Sequence, residues 1–119
     1  MLEIVNMLTG EQILREHKQR FANEAVCSNV LLLLSSLANK YRLQILCLLK
    51  DGEFNVTEII DAVGGKPSNI SQQIKLLALS GYIQGRRQEK HIYYHLADEN
   101  IRTLLVYLQE KFSMEYSVK

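Results

Sequence analysis

A chain of 119 residues, 47% apolar and 23% charged, holds enough material for one hydrophobic core and not for two. A net charge of +1 argues, taken alone, against a polyanion binder, and the two cysteines, Cys27 and Cys47, provide no disulfide framework. The densest apolar run, Val30-Leu31-Leu32-Leu33-Leu34, is too short to span a bilayer, and the first residues lack the form of a secretion signal, so a cytoplasmic address with no membrane partner is expected.

Residues 1–22 read as an amphipathic N-terminal arm. Ile4, Met7 and Leu8, then Ile13, Leu14 and Phe21, are apolar amid Glu11, Arg15, Glu16 and Lys18. Gly10 divides the arm into two short pieces, and Thr9 is placed to cap the second. Such an arm packs on the body or extends a contact between subunits.

Residues 23–114 form the body of the chain and 115–119 a polar tail. A helix is expected over Asn23–Leu37, with Ala25, Val26, Val30, Leu33, Leu34 and Leu37 on one face, which Leu31 and Leu32 widen almost all the way round. A helix apolar on nearly every side must be covered on nearly every side. In a domain this small that points to a partner subunit, the other reading being a central helix of a monomer.

Asn39 is suited to cap a helix over Lys40–Lys50, whose Leu43, Ile45, Leu46, Leu48 and Leu49 supply core. Asp51-Gly52 ends it, and Glu53-Phe54 can form a short strand. Asn55-Val56-Thr57-Glu58 has the form of a capping box, opening a helix that carries Ile59, Ile60, Ala62 and Val63 and stops at Gly64-Gly65.

The next helix carries the strongest signal in the chain. Pro67 stands where a first helical residue tolerates proline, and Gly81 follows the last apolar turn as a stop. Ile70, Ile74, Leu77 and Leu79, with Leu76 beside them, have near-helical spacing and form a core-facing stripe. The other face carries Ser68, Asn69, Ser71, Gln72, Gln73 and Lys75. Apart from one lysine these are neutral hydrogen-bonding groups, where an ordinary surface helix would present Glu, Lys and Arg. Amides and hydroxyls are what a helix needs to read base edges in a major groove, since Asn and Gln pair bidentately with adenine and Ser with several bases. Two short helices joined by a Gly-bearing turn, the second polar outside, make the helix-turn-helix pattern.

Two β-rich runs follow, Tyr82 to Arg87 and His91 to Leu96, around a polar tip of Gln88-Glu89-Lys90. A hairpin here is a wing that brings Arg87 and Lys90 near phosphates or a minor groove. Between Lys66 and His95 the chain holds Lys66, Lys75, Arg86, Arg87 and Lys90 against Glu89 alone, a local charge of +4 on a remainder of −3. A basic third on an acidic body reverses the inference from net charge. Asp98 begins a last helix running to about Ser113, where Ile101, Leu104, Leu105, Leu108 and Phe112 form an apolar stripe. Val26, Val30, Leu33, Leu104, Leu105, Leu108 and Phe112 are the candidate dimer interface.

The chain resembles the ArsR/SmtB-type winged-helix repressors. The likeness rests on Leu37-Ala38-Asn39-Lys40-Tyr41-Arg42-Leu43-Gln44-Ile45-Leu46, on Ser68 to Leu77, on Gly81-Tyr82-Ile83, and on Arg86-Arg87 followed by Tyr93-Tyr94-His95-Leu96, and it spans roughly residues 25–113. It implies a mainly α fold with a small β-hairpin and a homodimer built on the first and last helices of the domain. It also implies that two recognition helices enter successive major grooves of a palindromic double-stranded operator, and that an effector releases the DNA.

The chain departs from the family at its metal sites. The thiolate site is a Cys-x-Cys where this chain reads Glu53-Phe54-Asn55-Val56-Thr57-Glu58, and the final helix has Asp98, Glu99, Asn100 and Glu110 but no histidine. A metal site of the usual kind is therefore not expected, and neither is a cofactor. Cys47 resembles the position of one sensing cysteine in the thiol-based members, which answer small reactive effectors such as oxidants or sulfane sulfur. Their partner cysteine falls where this chain has Phe112 and Ser113. Cys27 would replace it only within about 7 Å, Cα to Cα. The other reading makes both thiols small buried apolar groups.

The expected function is that of a sequence-specific DNA-binding regulator, a repressor acting as a homodimer. The DNA-contacting candidates are Ser68, Asn69, Ser71, Gln72, Gln73 and Lys75 on the helix, with Lys66, Arg86, Arg87 and Lys90 around it. A winged-helix scaffold for protein contacts is the alternative. No Gly-rich phosphate loop and no paired acid and base at recognisable spacing point to an enzyme.

Overall fold

The computed structural model describes residues 8–22 and 24–112, with the side chain of Val26 left aside. Ile4, Met7, Asn23 and the tail 115–119 lie outside the described residues. The chain divides into two compact units, Met1–Ser35 and Ser36–Lys119.

In the first unit, helix α1 spans Gly10–Arg20 and opens on a reciprocal cap. Thr9 Oγ1 accepts from the Gln12 amide at 3.1 Å, and Gln12 Oε1 accepts from the Thr9 amide at 2.9 Å. Gly10 is thus the first residue of the helix that Thr9 was expected to cap, and the cap satisfies amides that would otherwise lack partners; the piece before it lies outside the described residues. No residue of α1 is buried, and Ile13, Leu14 and Phe21 are exposed. Helix α2 spans Glu24–Leu37 and leaves Val30, Leu31, Leu32 and Leu34 exposed, each by half or more.

The second unit holds helix α3 (Lys40–Lys50), strand β1 (Phe54–Asn55), helix α4 (Val56–Val63), helix α5 (Pro67–Leu79), strands β2 (Ile83–Gln88) and β3 (His91–Leu96), and helix α6 (Glu99–Phe112). Local chemistry sets most of these boundaries. Asn39 Oδ1 accepts from the amides of Tyr41 and Arg42 at 2.9 and 3.0 Å and so starts α3. Asn55 and Glu58 exchange their capping bonds, both 2.9 Å, at the start of α4. Asp98 Oδ1 accepts from the Asn100 amide at 2.8 Å ahead of α6.

The three strands form an antiparallel sheet in the order β1-β3-β2, with Phe54 opposite Tyr94, Ile83 opposite Leu96 and Gln88 opposite His91. Gln88 belongs to the strand, so the wing tip is only Glu89-Lys90, with Glu89 in the left-handed region at φ 56°. The core draws on every helix of the unit from α3 on and on the wing: Ile45, Leu46 and Leu49 from α3, Ile59 from α4, Ile70, Ile74 and Leu77 from α5, Ile83 and Leu96 from the strands, and Ile101 and Leu105 from α6. Each such side chain contributes about 1.5–3 kcal/mol by leaving water. Arg102 ties α6 to the end of α3 by donating from Nη1 to the Lys50 carbonyl, while its Nε donates to Glu99.

Three residues expected elsewhere lie in this core or away from it. Leu105, a candidate interface residue, is wholly buried within its own chain, because it stands one turn from Ile101 on the stripe that packs inward. Leu76, expected beside the core stripe, is 42% exposed, and Leu79, expected in the core, is 85% exposed. At about 100° per residue Leu79 lines up with Ser68, Gln72 and Lys75 on the outer side of α5.

Candidate nucleic-acid interface

The turn between α4 and α5 fixes where the second helix starts. Gly64 and Gly65 have φ of 74° and 113°, a region that glycine enters without steric cost. Gly65 also sits tightly against α3, where a Cβ would stand 3.0 Å from Tyr41 Cε1. Pro67 is the first helical residue of α5, and Lys66 before it makes no side-chain cap. The Gly81 turn, φ 82°, then ends the helix and delivers Tyr82 and Ile83 into the core.

Helix α5 is anchored by Ile70, Ile74 and Leu77, each no more than 1% exposed. Opposite them Ser68, Gln72 and Lys75 are exposed, while Asn69 and Ser71 are half-buried at the flanks. The helix therefore offers hydroxyls, amides and one ammonium group along one outer face. Lys66 at the head of the helix and Arg87 and Lys90 on the wing are exposed as well. The arrangement suits a polyanion with readable edges: hydrogen-bonding groups on a helix, with exposed cations at its head and on the wing.

Two of the sequence candidates turn out to be engaged inside the chain. Gln73 is buried at 9% exposure and does not face outward. Its Oε1 accepts from Arg42 Nη1 at 2.8 Å, and its Nε2 donates to Asn69 Oδ1 at 3.1 Å. Arg42 is held in turn by donating from Nε to the Ser36 carbonyl at 3.0 Å. Gln73 follows Gln72 by one residue and is thus rotated toward α3, where a long basic side chain meets it.

Arg86 is the second. Its Nη2 lies 2.5 Å from Glu53 Oε1, its Nε donates to the same carboxylate at 3.2 Å, and its Nη1 donates to Gln88 Oε1 at 2.8 Å. Strand pairing explains this, since β3 lies between β1 and β2 and Arg86, opposite Tyr93, reaches across that ring toward the residue preceding β1. The hydrogen bond from Arg86 lowers the Glu53 carboxyl below the usual carboxylate range, and Glu53 raises the guanidinium in return. His95 Nδ1 is 3.3 Å from Glu53 Oε2 on the other side, without the alignment of a hydrogen bond. A phosphate would find Arg86 already paired, unlike Arg87 and Lys90, which make no ion pair among the described residues.

Of the thiols, Cys47 is half-buried on α3, and burial is the main reason its pKa is raised, against a smaller opposing effect of Lys50. A raised pKa means less thiolate, the form that reacts. Cys27 is a free thiol in the other unit. Among the described residues no three His, Cys, Asp or Glu side chains converge to hold a metal.

A sequence model described as bacterial regulatory protein, arsR family, matches residues 39–84, from the α3 cap to the start of the wing. The biofilm growth-associated repressor of Xylella fastidiosa is 34% identical over 97 residues, covering 82% of this chain and 81% of that one. The chain belongs to the arsR family. Its fold agrees with that assignment. The crystal structure of the transcriptional repressor BigR from X. fastidiosa superposes with a TM-score of 0.69 at 34% identity, over 85% of this chain and 98% of that one. The homodimeric winged helix-turn-helix DNA-binding domain of Mb0332 from Mycobacterium bovis, solved by NMR, gives 0.68 at 32% identity, over 76% and 83%. The transcriptional activator HlyU of Vibrio cholerae is 28% identical over 85 residues, covering 71% of this chain and 79% of that one. The arsR-family member described here is thus a winged helix-turn-helix transcriptional regulator and not an enzyme, and no described helix is long and apolar enough to cross a membrane.

Proposed function

We propose that this arsR-family chain binds a palindromic operator as a homodimer and represses transcription from it, in the cytoplasm. The observation that carries the reading is the outer face of α5, where Ser68, Gln72 and Lys75 stand exposed over a fully buried Ile70, Ile74 and Leu77. Asn69 and Ser71 flank that face, and Lys66, Arg87 and Lys90 supply the phosphate contacts that set register. Dimerisation is supported by apolar surface at Val30 and Phe112, 51% and 70% exposed, with half-buried Leu33, Leu104 and Leu108 nearby on the same helices. Leu31, Leu32 and Leu34 extend the uncovered apolar surface of α2. The relative named as a repressor supports the sign of regulation.

Release by an effector belongs to the reading, with oxidation or persulfidation of Cys47 as its thiol version. Burial raises the Cys47 pKa and so leaves less thiolate for that version. The experiment is binding of the reduced protein to DNA from its own upstream region, followed by fluorescence anisotropy and repeated after mild oxidant or persulfide. Specific binding with steep salt dependence supports the regulator. Binding lost on treatment and regained with reductant identifies a thiol sensor, whereas absence of specific binding by the reduced protein overturns the repressor.

A further inference from the structure

The hydrogen bonds that remove Gln73 from the surface also fix which end of Asn69 faces outward. Arg42 has only donors, so Gln73 must turn its Oε1 toward Arg42 Nη1, at 2.8 Å. That leaves Gln73 Nε2, a donor, on the other side, and the partner it meets at 3.1 Å must accept: Asn69 Oδ1. Amide groups are directional, so the polarity set by the guanidinium passes through two side chains without ambiguity. Arg42 is itself immobilised by its bond to the Ser36 carbonyl. Among the described residues nothing accepts from Asn69 Nδ2, and Asn69 is the third residue of α5, in the turn that leads a recognition helix into the groove.

We infer that Arg42 and Gln73 are positioning residues that make Asn69 a hydrogen-bond donor toward DNA, so that it favours guanine or thymine at its position, disfavours cytosine and lacks the bidentate preference for adenine. The inference rests on the operator-binding function proposed above. Bidentate pairing with adenine needs the Asn carbonyl and amide together, and here the carbonyl is turned inward to Gln73. The NH2 group that remains matches the acceptors of guanine, O6 and N7, or of thymine, O4, whereas adenine offers it N7 alone beside a donor and cytosine only a donor. A side chain that resembles an adenine reader in the sequence is thereby denied the acceptor half of that reading by a residue on a different helix.

Two measurements test this. In the uncomplexed protein, side-chain amide exchange followed by NMR should show the Gln73 NH2 protons protected and the Asn69 NH2 protons exchanging readily. The reverse order overturns the relay whatever the protein binds. On DNA, an operator is selected from randomised duplexes and affinities are measured on its single-base variants. Asn69→Ala should flatten the preference at one guanine or thymine position. Gln73→Glu keeps a partner for Arg42 but can only accept, so Asn69 turns over and preference at that position moves toward adenine or cytosine, by roughly ten-fold. Gln73→Met, which retains an unbranched helical side chain, should broaden the preference without inverting it, and it decides the matter if Gln73→Glu fails to fold. An unchanged base profile in Asn69→Ala and in the Gln73 variants overturns the inference while leaving operator binding intact. Failure of the unmodified protein to enrich any sequence overturns both.

Discussion

Glu53 and Arg86, 33 residues apart, meet at 2.5 Å and hold the strand before the helix-turn-helix to the wing behind it. The guanidinium crosses the Tyr93 ring, 5.5 Å from its centroid, so charge pairing and ring stacking act on the same side chain. The hydrogen bond from Arg86 lowers the Glu53 carboxyl in the folded protein relative to an unfolded value of about 4.3. A group lowered on folding contributes stability above its unfolded pKa and loses it as pH falls through the folded one. Glu53→Gln should therefore be less stable than the parent near pH 7, with the gap closing below about pH 4. Urea denaturation across buffers from neutral to acid measures this. A gap that persists unchanged at acid pH would show that the carboxylate charge is not its cause.

Gly65 combines a positive φ of 113° with a neighbour that a Cβ would meet at 3.0 Å, on the ring of Tyr41. Gly64 has a positive φ of 74° with open space around it. Gly64→Ala should cost about 1 kcal/mol, from backbone strain alone. Gly65→Ala should cost more, about 2–3 kcal/mol, because the ring must also yield. Thermal melting compares them, at roughly 4–8 °C per kcal/mol for a domain of this size. Equal losses would mean that Tyr41 gives way without cost.

The boundaries of α3, α4 and α5 were legible in the sequence because caps are local: Asn39, the Asn55–Glu58 pair and Pro67 act within three residues of themselves. The wing was legible too, from two alternating runs around a polar tip. What local pattern does not contain is the rotation of each helix and the partner each long side chain finds. Gln73 looked like its neighbour Gln72 until Arg42, 31 residues earlier, claimed it. Arg86 and Arg87 are adjacent in sequence but point to opposite faces of a strand, and only one meets Glu53. A pairing between α3 and α5 had a signal in the arginine at the buried side of the first helix, yet nothing in the sequence names its acceptor.

The same rotation separates two aliphatic positions on α5. Ile74 is 1% exposed among the core side chains, and Leu79 is 85% exposed. Ile74→Ala should cost about 2–5 kcal/mol through lost burial and the cavity left behind. Leu79→Ala should stay within about 0.5 kcal/mol of the parent. Chemical denaturation of both variants checks the helix orientation without any DNA. A large loss at Leu79 would mean that the helix is turned so as to hide that side chain, and with it the assignment of Ser68, Gln72 and Lys75 to the outer face would fall.

Charge at the wing makes a prediction about salt that distinguishes adjacent arginines. Arg87 and Lys90 are exposed and make no ion pair among the described residues, whereas Arg86 already has a carboxylate and a glutamine oxygen. Each phosphate contact removed lowers the slope of log affinity against log salt by about 0.9. Arg87→Ala and Lys90→Ala should each lower the slope by about that amount per contact, and Arg86→Ala by much less. Glu53→Gln should act in the other direction, since removing the carboxylate releases Arg86 toward the backbone and steepens the dependence. Anisotropy titrations at several salt concentrations read all four. If Arg86→Ala flattened the slope as much as Arg87→Ala, the Glu53 pair would have to open on DNA, and the wing would carry three phosphate contacts in place of two.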